Sequence, residues 1–198
     1  MRAVLTTDEI RKFRETFGQI ALQAYLDEGF DGISMRKVAR RMEVSQATAY
    51  RYFEDKEEML SVIRAAAVER FVTALKTARG TLRSRFAARA IGKAYLDFAL
   101  TNPELYRLIF DVQQPEHGRF RELAFETARA RDIMNSYVAE MVEDGLVTGE
   151  SESLAVILWS GAHGLVMNYL TGLIASQQDL VSLHETMMRR LLPPLTAH

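Results

Sequence analysis

The sequence contains no cysteine, and only four of its 198 residues are proline. Without cysteine the chain can have no disulfide, no thiolate metal ligand and no cysteine nucleophile. The scarcity of proline, together with little low-complexity sequence, predicts a mostly helical chain. The formal net charge is −1, so any attraction to nucleic acid must come from a local basic cluster and not from the chain as a whole.

Sequence motifs of common enzyme classes are also missing. The chain has no GxSxG, HExxH, P-loop or dinucleotide-binding glycine pattern. It has four histidines, and His184 lacks a second metal ligand at helical spacing. We therefore predict a protein that is not an enzyme and that needs no metal and no cofactor. The open alternative is a site that the fold assembles from residues far apart in the sequence, which no motif would reveal.

One segment is apolar enough to suggest a membrane span. Residues 153–178 contain no charged residue, and this length is sufficient to cross a bilayer. The polar residues Ser160, His163 and Asn168, and the absence of basic flanks, favour a helix buried on all sides within protein. Since the N-terminal residues lack an apolar signal core, we expect a cytoplasmic protein that does not enter the membrane.

Two short helical patterns lie back to back between Ser34 and Phe53. Each begins after a serine, Ser34 or Ser45, which is a preferred N-cap because its hydroxyl accepts a hydrogen bond from the first helical turn. Only residues 42–44 separate the patterns, which leaves room for a tight turn. Two short helices joined by a tight turn form a helix-turn-helix, whose second helix enters the major groove of DNA.

The same segment carries polar side chains that can contact DNA, and it has a local positive charge. Gln46 can pair bidentately with adenine, and Ala47 and Thr48 can touch a thymine methyl group. Serine, threonine and tyrosine hydroxyls nearby can hold phosphates. The alternative is an ordinary pair of surface helices with a solvated basic face. Against one acid, Glu43, the segment has five basic residues: Arg36, Lys37, Arg40, Arg41 and Arg51.

From about Ile20 to Leu60 the sequence resembles the DNA-binding domain of the tetracycline-repressor (TetR) family of bacterial regulators. The matching residues are Ala24, Glu28-Gly29-Phe30, Ser34-Met35-Arg36-Lys37-Val38-Ala39, Val44-Ser45, Thr48, Tyr50-Arg51-Tyr52-Phe53 and Lys56-Glu57-Glu58-Met59-Leu60. The resemblance implies base contacts from Arg36, Gln46 and Ala47, and a contact to either bases or phosphates from Arg51. It implies phosphate contacts from Ser34, Ser45, Thr48, Tyr50, Tyr52 and Lys56.

Glu43 departs from the family pattern, because the family usually has glycine at this position of the turn. Glycine adopts a positive φ easily, whereas other residues lose roughly 1–2 kcal/mol there. We therefore expect that the turn either has another shape or carries strain.

The C-terminal part also resembles this family, and in particular a subgroup with a Trp-His-Gly signature. The matching residues are Tyr95-Leu96-Asp97-Phe98-Ala99, Asn102-Pro103-Glu104-Leu105-Tyr106-Arg107-Leu108, Trp159 and His163-Gly164. The resemblance implies an all-α fold of about nine helices. Residues 1–54 would form a three-helix DNA-binding domain, and residues 55–198 would form a helical bundle for ligand binding and dimerisation.

The last two predicted helices, residues 151–176 and 179–192, would form a four-helix interface between two copies, as this resemblance implies. Small residues at every fourth position of the first of them allow a close approach by another helix of the same chain or of a second copy: Ser160, Gly164, Asn168 and Gly172. The second helix has an apolar stripe, whose alternative role is core packing within the chain: Leu180, Leu183, Met187, Met188 and Leu191.

Aromatic residues and methionines of the C-terminal part are candidates for lining an effector site. Their number predicts a small apolar or aromatic effector held by few polar groups, although core packing is the alternative for each of them. The candidates are Tyr95, Phe98, Tyr106, Phe110, Met134, Tyr137, Met141, Trp159, His163 and Met167.

Together the basic helix-turn-helix pattern and the resemblance imply a ligand-responsive regulator, most simply a repressor, that binds double-stranded DNA as a homodimer. The two reading helices would enter successive major grooves of a near-palindromic operator, about 34–36 Å apart. The effector would tilt the connecting helix, residues 55–78, and so change this spacing. The alternative is a helical interaction protein that binds no specific duplex.

Overall fold

The structure is a computed structural model, and it describes residues 6–110 and 118–191. This part of the chain contains nine α-helices and no strand, which confirms the predicted all-α fold. The helices are α1 Thr7–Glu28, α2 Met35–Arg41, α3 Gln46–Ala49, α4 Lys56–Arg79, α5 Ser84–Thr101, α6 Pro103–Phe110, α7 Arg121–Glu143, α8 Ser151–Leu170 and α9 Gln177–Leu191.

The described residues fall into two compact units. The head unit combines residues of Met1–Arg70 with residues of Glu104–Ala128, and the rear unit combines Phe71–Pro103 with Arg129–His198. Helices α4 and α7 therefore each contribute residues to both units. The predicted domain boundary after residue 54 divides the chain by function, into a DNA-binding part and a ligand-binding part. This boundary stays a prediction.

In the head unit, α1 packs against the end of the helix-turn-helix segment. Phe17 of α1 and Phe53 are both buried, and their ring centroids lie 4.5 Å apart. Gly18 brings α1 close to α4, because a β-carbon at this position would lie 2.8 Å from Val62 Cγ1 and 3.1 Å from the Val62 carbonyl oxygen. These contacts pack α1 against the end of the helix-turn-helix segment and against α4.

In the rear unit, the N-terminus of α5 is held by a carboxylate from α7. The Ser84 backbone amide donates to Glu140 Oε2 at 2.7 Å, and Arg79 Nη2 donates to Glu140 Oε1 at 2.7 Å. The Glu140 carboxylate thus satisfies an amide of the first turn of α5 that has no partner within the helix.

Aromatic packing also joins α4 to α5 in the rear unit. Phe71 packs edge-on against Tyr95 and Phe98, with ring centroids 5.4 and 5.1 Å away.

Helix α8 ends at Leu170, so the prediction that it continues to about residue 176 is wrong. The reason lies at Gly172, whose φ is +82°. Its amide donates to the Tyr169 carbonyl, and the Leu173 amide donates to the Asn168 carbonyl. This hydrogen-bond pattern terminates a helix, and glycine favours it because the required left-handed conformation is easy for glycine.

Helix α8 is also less buried than the sequence predicts. Only Ala155, Leu158, Ala162 and Val166 are buried, so burial on all sides is wrong for the single chain. Of the helices in the described ranges, α8 is long and apolar enough to cross a membrane by length and composition.

Candidate nucleic-acid interface

Both serine N-caps predicted from the sequence are confirmed. The Ser34 hydroxyl accepts a hydrogen bond from the Lys37 amide at 3.2 Å, and the Ser45 hydroxyl accepts one from the Thr48 amide at 2.9 Å. Ser45 Oγ also lies 2.7 Å from Thr48 Oγ1. The first turn of α3 is therefore fixed by its own side chains, which hold the N-terminal residues of this helix in one arrangement.

The turn between α2 and α3 keeps a left-handed residue although the usual glycine is absent. Glu43 has φ +58°, its amide donates to the Arg40 carbonyl, and the Val44 amide donates to the Ala39 carbonyl. Of the two expectations for this position, strain is therefore the correct one. A non-glycine residue in this conformation costs on the order of 1–3 kcal/mol.

Helix α3 presents a polar face to solvent and an apolar face to the head unit. Gln46 and Ala47 are exposed, and 55% of Tyr50 is accessible, whereas Ala49 is buried. The other predicted DNA-contacting residues are exposed or half-buried: Ser34 and Thr48 are half-buried, and Arg36, Ser45, Arg51 and Lys56 are exposed. The arrangement leaves the first residues of α3 accessible to the edges of base pairs.

Tyr52 occupies a different position from the other candidates. Its ring is half-buried and stacks on Phe13 of α1, with centroids 3.7 Å apart and planes 11° apart. Its carbonyl oxygen accepts a hydrogen bond from Arg14 Nη1 at 3.0 Å. Tyr52 thus ties the end of the helix-turn-helix to α1, and its predicted phosphate contact stays a prediction.

Two of the five basic residues of the segment form ion pairs with the end of α1. Lys37 Nζ lies 2.7 Å from Glu28 Oε2, and Arg41 donates to Asp27 and Glu28 at 2.8 and 2.7 Å. A hydrogen bond from Arg41 lowers the pKa of Asp27, and hydrogen bonds from Lys37 and then Arg41 lower the pKa of Glu28. Among the described residues, no carboxylate forms such an ion pair with Arg36 or Arg40.

Arg14 is a structural residue that the sequence analysis missed. It is only 9% exposed, and Nε donates to Glu122 at 2.7 Å, while Nη1 also donates to Glu58. Its guanidinium carbon lies 5.2 Å from the centre of the Phe53 ring. Burial alone would lower the pKa of Arg14, but hydrogen bonds to the two carboxylates raise it. The available signal was its spacing from Phe17 and Ala21 on the buried stripe of α1.

The predicted effector-lining residues are divided between the two units. Tyr106 and Phe110 belong to the head unit, where their ring centroids lie 4.7 Å apart. In the rear unit the Trp159 and His163 rings stack at 5.2 Å with planes 16° apart. The remaining candidates of the rear unit are buried or half-buried: Tyr95, Phe98, Met134, Tyr137, Met141 and Met167. Burial also raises the pKa of the Tyr137 hydroxyl. Their role as ligand contacts stays a prediction.

The fold is all-α, and a basic helix-turn-helix precedes a longer series of helices in the sequence. This combination defines a class of protein, the helix-turn-helix transcriptional regulators. Residues 20–63 match the family model described as bacterial regulatory proteins of the tetR family. Residues 88–191 match the model described as the tetracyclin repressor-like C-terminal domain. The chain belongs to the TetR family, whose members are transcriptional regulators and not enzymes. The narrower Trp-His-Gly subgroup stays a prediction.

Relatives and solved structures agree with this assignment. An HTH-type transcriptional regulator of Staphylococcus aureus strain USA300 is 24% identical over 130 residues, which are 65% of this chain and 67% of that protein. The HTH-type transcriptional activator FasR of Mycolicibacterium smegmatis is 28% identical over 148 residues, 67% of this chain and 68% of that protein.

Two solved structures show the same fold. A protein of unknown function from Rhodococcus sp. RHA1 superposes with a TM-score of 0.74 at 23% identity, covering 90% of this chain and 95% of that chain. The transcriptional regulator FadR from Bacillus subtilis, in complex with stearoyl-CoA, superposes with a TM-score of 0.67 at 13% identity, covering 91% of this chain and 98% of that chain.

Proposed function

We propose that this chain is a repressor that binds a near-palindromic DNA operator as a homodimer and that a small-molecule effector alters this binding. The observation that carries the proposal is the exposed polar face of α3, whose first turn is capped by Ser45. Gln46, Ala47 and Arg36 contact bases, and Arg51 contacts either bases or phosphates. The phosphate backbone is held by Ser34, Ser45, Thr48, Tyr50, Tyr52 and Lys56.

The exposed apolar face of α8 supports the proposed dimer. Val156 and Ile157 are 58% and 53% exposed, and such adjacent apolar side chains commonly mark an interaction surface. A β-carbon at Gly164 would meet nothing within 4 Å, which leaves space for the backbone of a helix from a second copy. A two-fold dimer built on this face gives a two-fold DNA site.

Part of the predicted dimer surface packs within a single protomer. Gly161, not Gly164, makes the close approach to α9, because a β-carbon there would lie 2.4 Å from the Met187 sulfur. Leu180 is fully buried within the protomer, whereas Leu183 and Leu191 are exposed. We therefore assign the dimer contact to the exposed residues of α8 and α9.

The proposal of an effector rests on the buried and half-buried aromatic residues of the C-terminal part and on the fold. The FadR structure of this fold contains stearoyl-CoA, which shows that a relative of similar architecture holds an acyl compound. For this chain we propose an effector with an apolar or aromatic body. We also propose that the protein itself is located in the cytoplasm. FasR is named an activator, so a reporter gene placed behind the operator tests repression against activation.

Selection of duplex DNA from a random pool tests the operator. We expect the wild-type protein to enrich an inverted repeat and the variant Gln46→Ala, Tyr50→Ala to lose it. Arg36→Ala is expected to weaken binding to that repeat by about 1–3 kcal/mol, the usual value of a base-contacting arginine. Arg89→Ala removes the same charge from an exposed residue of α5 and is expected to bind like the wild type. No enrichment by any form would favour the interaction-protein alternative.

Sedimentation of an Ile157→Asp variant tests the dimer separately. A buried charge at a two-fold interface appears twice and lacks a partner, so we expect this variant to be a monomer at concentrations where the wild type is a dimer. Phe86→Asp is the matched control, because Phe86 is an equally exposed apolar residue of α5 outside the proposed interface. A dimer unaffected by Ile157→Asp would place the interface elsewhere.

A further inference from the structure

Arg64 is a buried cation without a protein partner. It lies on α4 a little more than two helical turns after Lys56, and only 5% of its surface is exposed. Its Nε is fully enclosed and makes no hydrogen bond. Within residues 6–110 and 118–191, no carboxylate forms an ion pair with its guanidinium. The two terminal nitrogens are not among the enclosed atoms, so the end of the guanidinium can be reached from outside, and an opposite charge placed there would offset the cost of its partial burial.

The neighbouring acidic residues are already paired with other arginines. Glu57 lies on the same helix and opposes the lowering of the Arg64 pKa that burial causes, but its Oε2 lies 2.6 Å from Arg119. Glu58 accepts hydrogen bonds from Arg14 and from the Glu54 amide. Neither carboxylate can turn to Arg64 without breaking these bonds.

Arg14 shows what a satisfied buried arginine looks like in the same unit. It has two carboxylates, a carbonyl oxygen and an aromatic face as partners. Arg64 has comparable burial and none of these partners within the described ranges. Because a guanidinium does not lose its proton in proteins, Arg64 remains charged, and its planar fork is suited to bidentate pairing with an oxyanion.

We propose that Arg64 binds the anionic group of the effector, so that the effector is an amphiphile with a carboxylate or phosphate head and an apolar body. This assignment rests on the proposed effector response and specifies its chemistry. The residues one turn after Arg64 on the same face of α4 support the apolar body, because Ala67 and Val68 are buried and carry no polar side-chain atoms. An anion bound here acts directly on α4, the helix that follows the helix-turn-helix.

The test compares anions with matched neutral compounds on the full chain, without DNA. Decanoate and decyl phosphate are compared with decanol, and 4-phenylbutanoate with 4-phenylbutanol, by thermal unfolding and by calorimetric titration. We expect at least one anion to raise the unfolding midpoint of the wild type and to bind about tenfold or more tightly than its alcohol, the usual gain from hydrogen bonds to a charged group. The tighter of the two decyl anions identifies the head group.

Arg64→Met keeps a long side chain and removes the charge. We expect its ligand-free unfolding midpoint to equal or exceed that of the wild type, and its preference for anions over alcohols to be lost. Arg64→Lys keeps a charge without the planar fork, and we expect an intermediate preference. Arg14→Met is the contrasting variant, since it strands Glu58 and Glu122 and must lower the midpoint. Arg89→Met, on the surface, is expected to bind anions like the wild type.

Three results would overturn the proposal. The first is a lowered ligand-free midpoint in Arg64→Met, which would show that Arg64 stabilises the protein by itself. The second is equal binding of anions and alcohols by the wild type, and the third is failure of every anion to bind. None of these readouts uses DNA, so a failure to find an operator is distinguishable from a failure of anion binding.

Discussion

The Val44 amide donates a hydrogen bond to the Ala39 carbonyl at 3.0 Å, across a turn in which Glu43 has a positive φ. The same bonding pattern ends α7 and α8, where Gly145 and Gly172 occupy the left-handed position. The turn of the helix-turn-helix therefore has the geometry of a glycine turn without the glycine. Its shape is imposed by the packing of α2 and α3 on the head unit.

Replacing Glu43 with glycine is expected to stabilise the protein. The substitution relieves the left-handed strain, and part of the gain is offset because glycine makes the unfolded chain more flexible. We expect a net gain of about 0.5–1 kcal/mol in the free energy of unfolding, measured with urea. Glu43→Ala, which retains the strain, is the control. Stability equal in both variants would show that the loss of the Glu43 side chain, and not the backbone, decides the effect.

Replacing Gly18 with alanine is expected to destabilise the head unit, although alanine is the better helix former. The new methyl group would lie 2.8 Å from Val62 Cγ1 and 3.1 Å from the Val62 carbonyl, and a backbone carbonyl cannot move aside easily. We expect a loss of about 1–3 kcal/mol, typical of overpacking, in urea unfolding. A stabilised Gly18→Ala variant would mean that α1 and α4 are not so close.

His184 is expected to make the stability of the rear unit dependent on pH. It is buried, its Nε2 has no hydrogen-bond partner, and a β-carbon at Gly92 would lie 3.0 Å from its Cε1. Burial lowers its pKa below the ordinary 6.5, and Glu185 only partly opposes this. The unfolded chain therefore binds the proton more readily, and stability falls as the pH drops below about 6.5, by at most about 1.4 kcal/mol per pH unit.

Unfolding experiments from pH 8 to pH 5 measure this dependence. We expect His184→Leu to lose the decline between pH 6.5 and pH 5 that the wild type shows. A parallel decline in both proteins would assign the pH dependence to other groups. His163→Leu is the comparison variant, since its half-buried ring stacks on Trp159 in the same unit.

The ion pairs of Lys37 and Arg41 with Asp27 and Glu28 are expected to stabilise the head unit above the carboxylate range of pH. The pKa values of both carboxyl groups lie below their ordinary 3.8 and 4.5, so the unfolded chain takes up protons first on acidification. The contribution is complete above about pH 4.5 and is lost as the pH falls through the folded-state pKa values.

The double variant Lys37→Met, Arg41→Met tests this contribution. At low salt we expect it to be less stable than the wild type at pH 7, with a smaller loss of stability between pH 4.5 and pH 3. At 1 M salt the difference at pH 7 should shrink, because the four side chains are accessible to solvent and salt screens them. A difference that is independent of both salt and pH would point to packing of the aliphatic stems.

Predictions from the sequence succeeded where structure depends on residues a few positions apart. The caps at Ser34 and Ser45 follow from hydrogen bonds that span three residues, and so they can be recognised without the fold. The end of α7 at Gly145 follows from the same kind of local rule. The predicted end of α8 was wrong because Gly172 fits the spacing of a packing stripe in the sequence, whereas the left-handed conformation of Gly172 terminates the helix.

The placement of charges could not be predicted in the same way. Arg14 and Arg64 both lie on the buried face of a helix, and only the fold gives the first of them two carboxylates. The partners of Arg14 lie 44 and 108 residues away in the chain. Likewise, the five basic residues of the helix-turn-helix look equivalent in the sequence, but the end of α1 forms ion pairs with two of them.

The sequence by itself determined the helices, their caps and the class of protein, because these depend on local hydrogen bonds and on a long motif of fixed spacing. The tertiary structure decided which face of α8 remains exposed, which basic residues of the helix-turn-helix form ion pairs with α1, and which buried arginine lacks a partner. These properties arise from contacts between residues far apart in the chain. Burial in the folded chain removes water from charged groups. The presence or absence of a distant carboxylate therefore determines whether a buried arginine stabilises the fold, as Arg14 does, or is left to bind an anion, as we propose for Arg64.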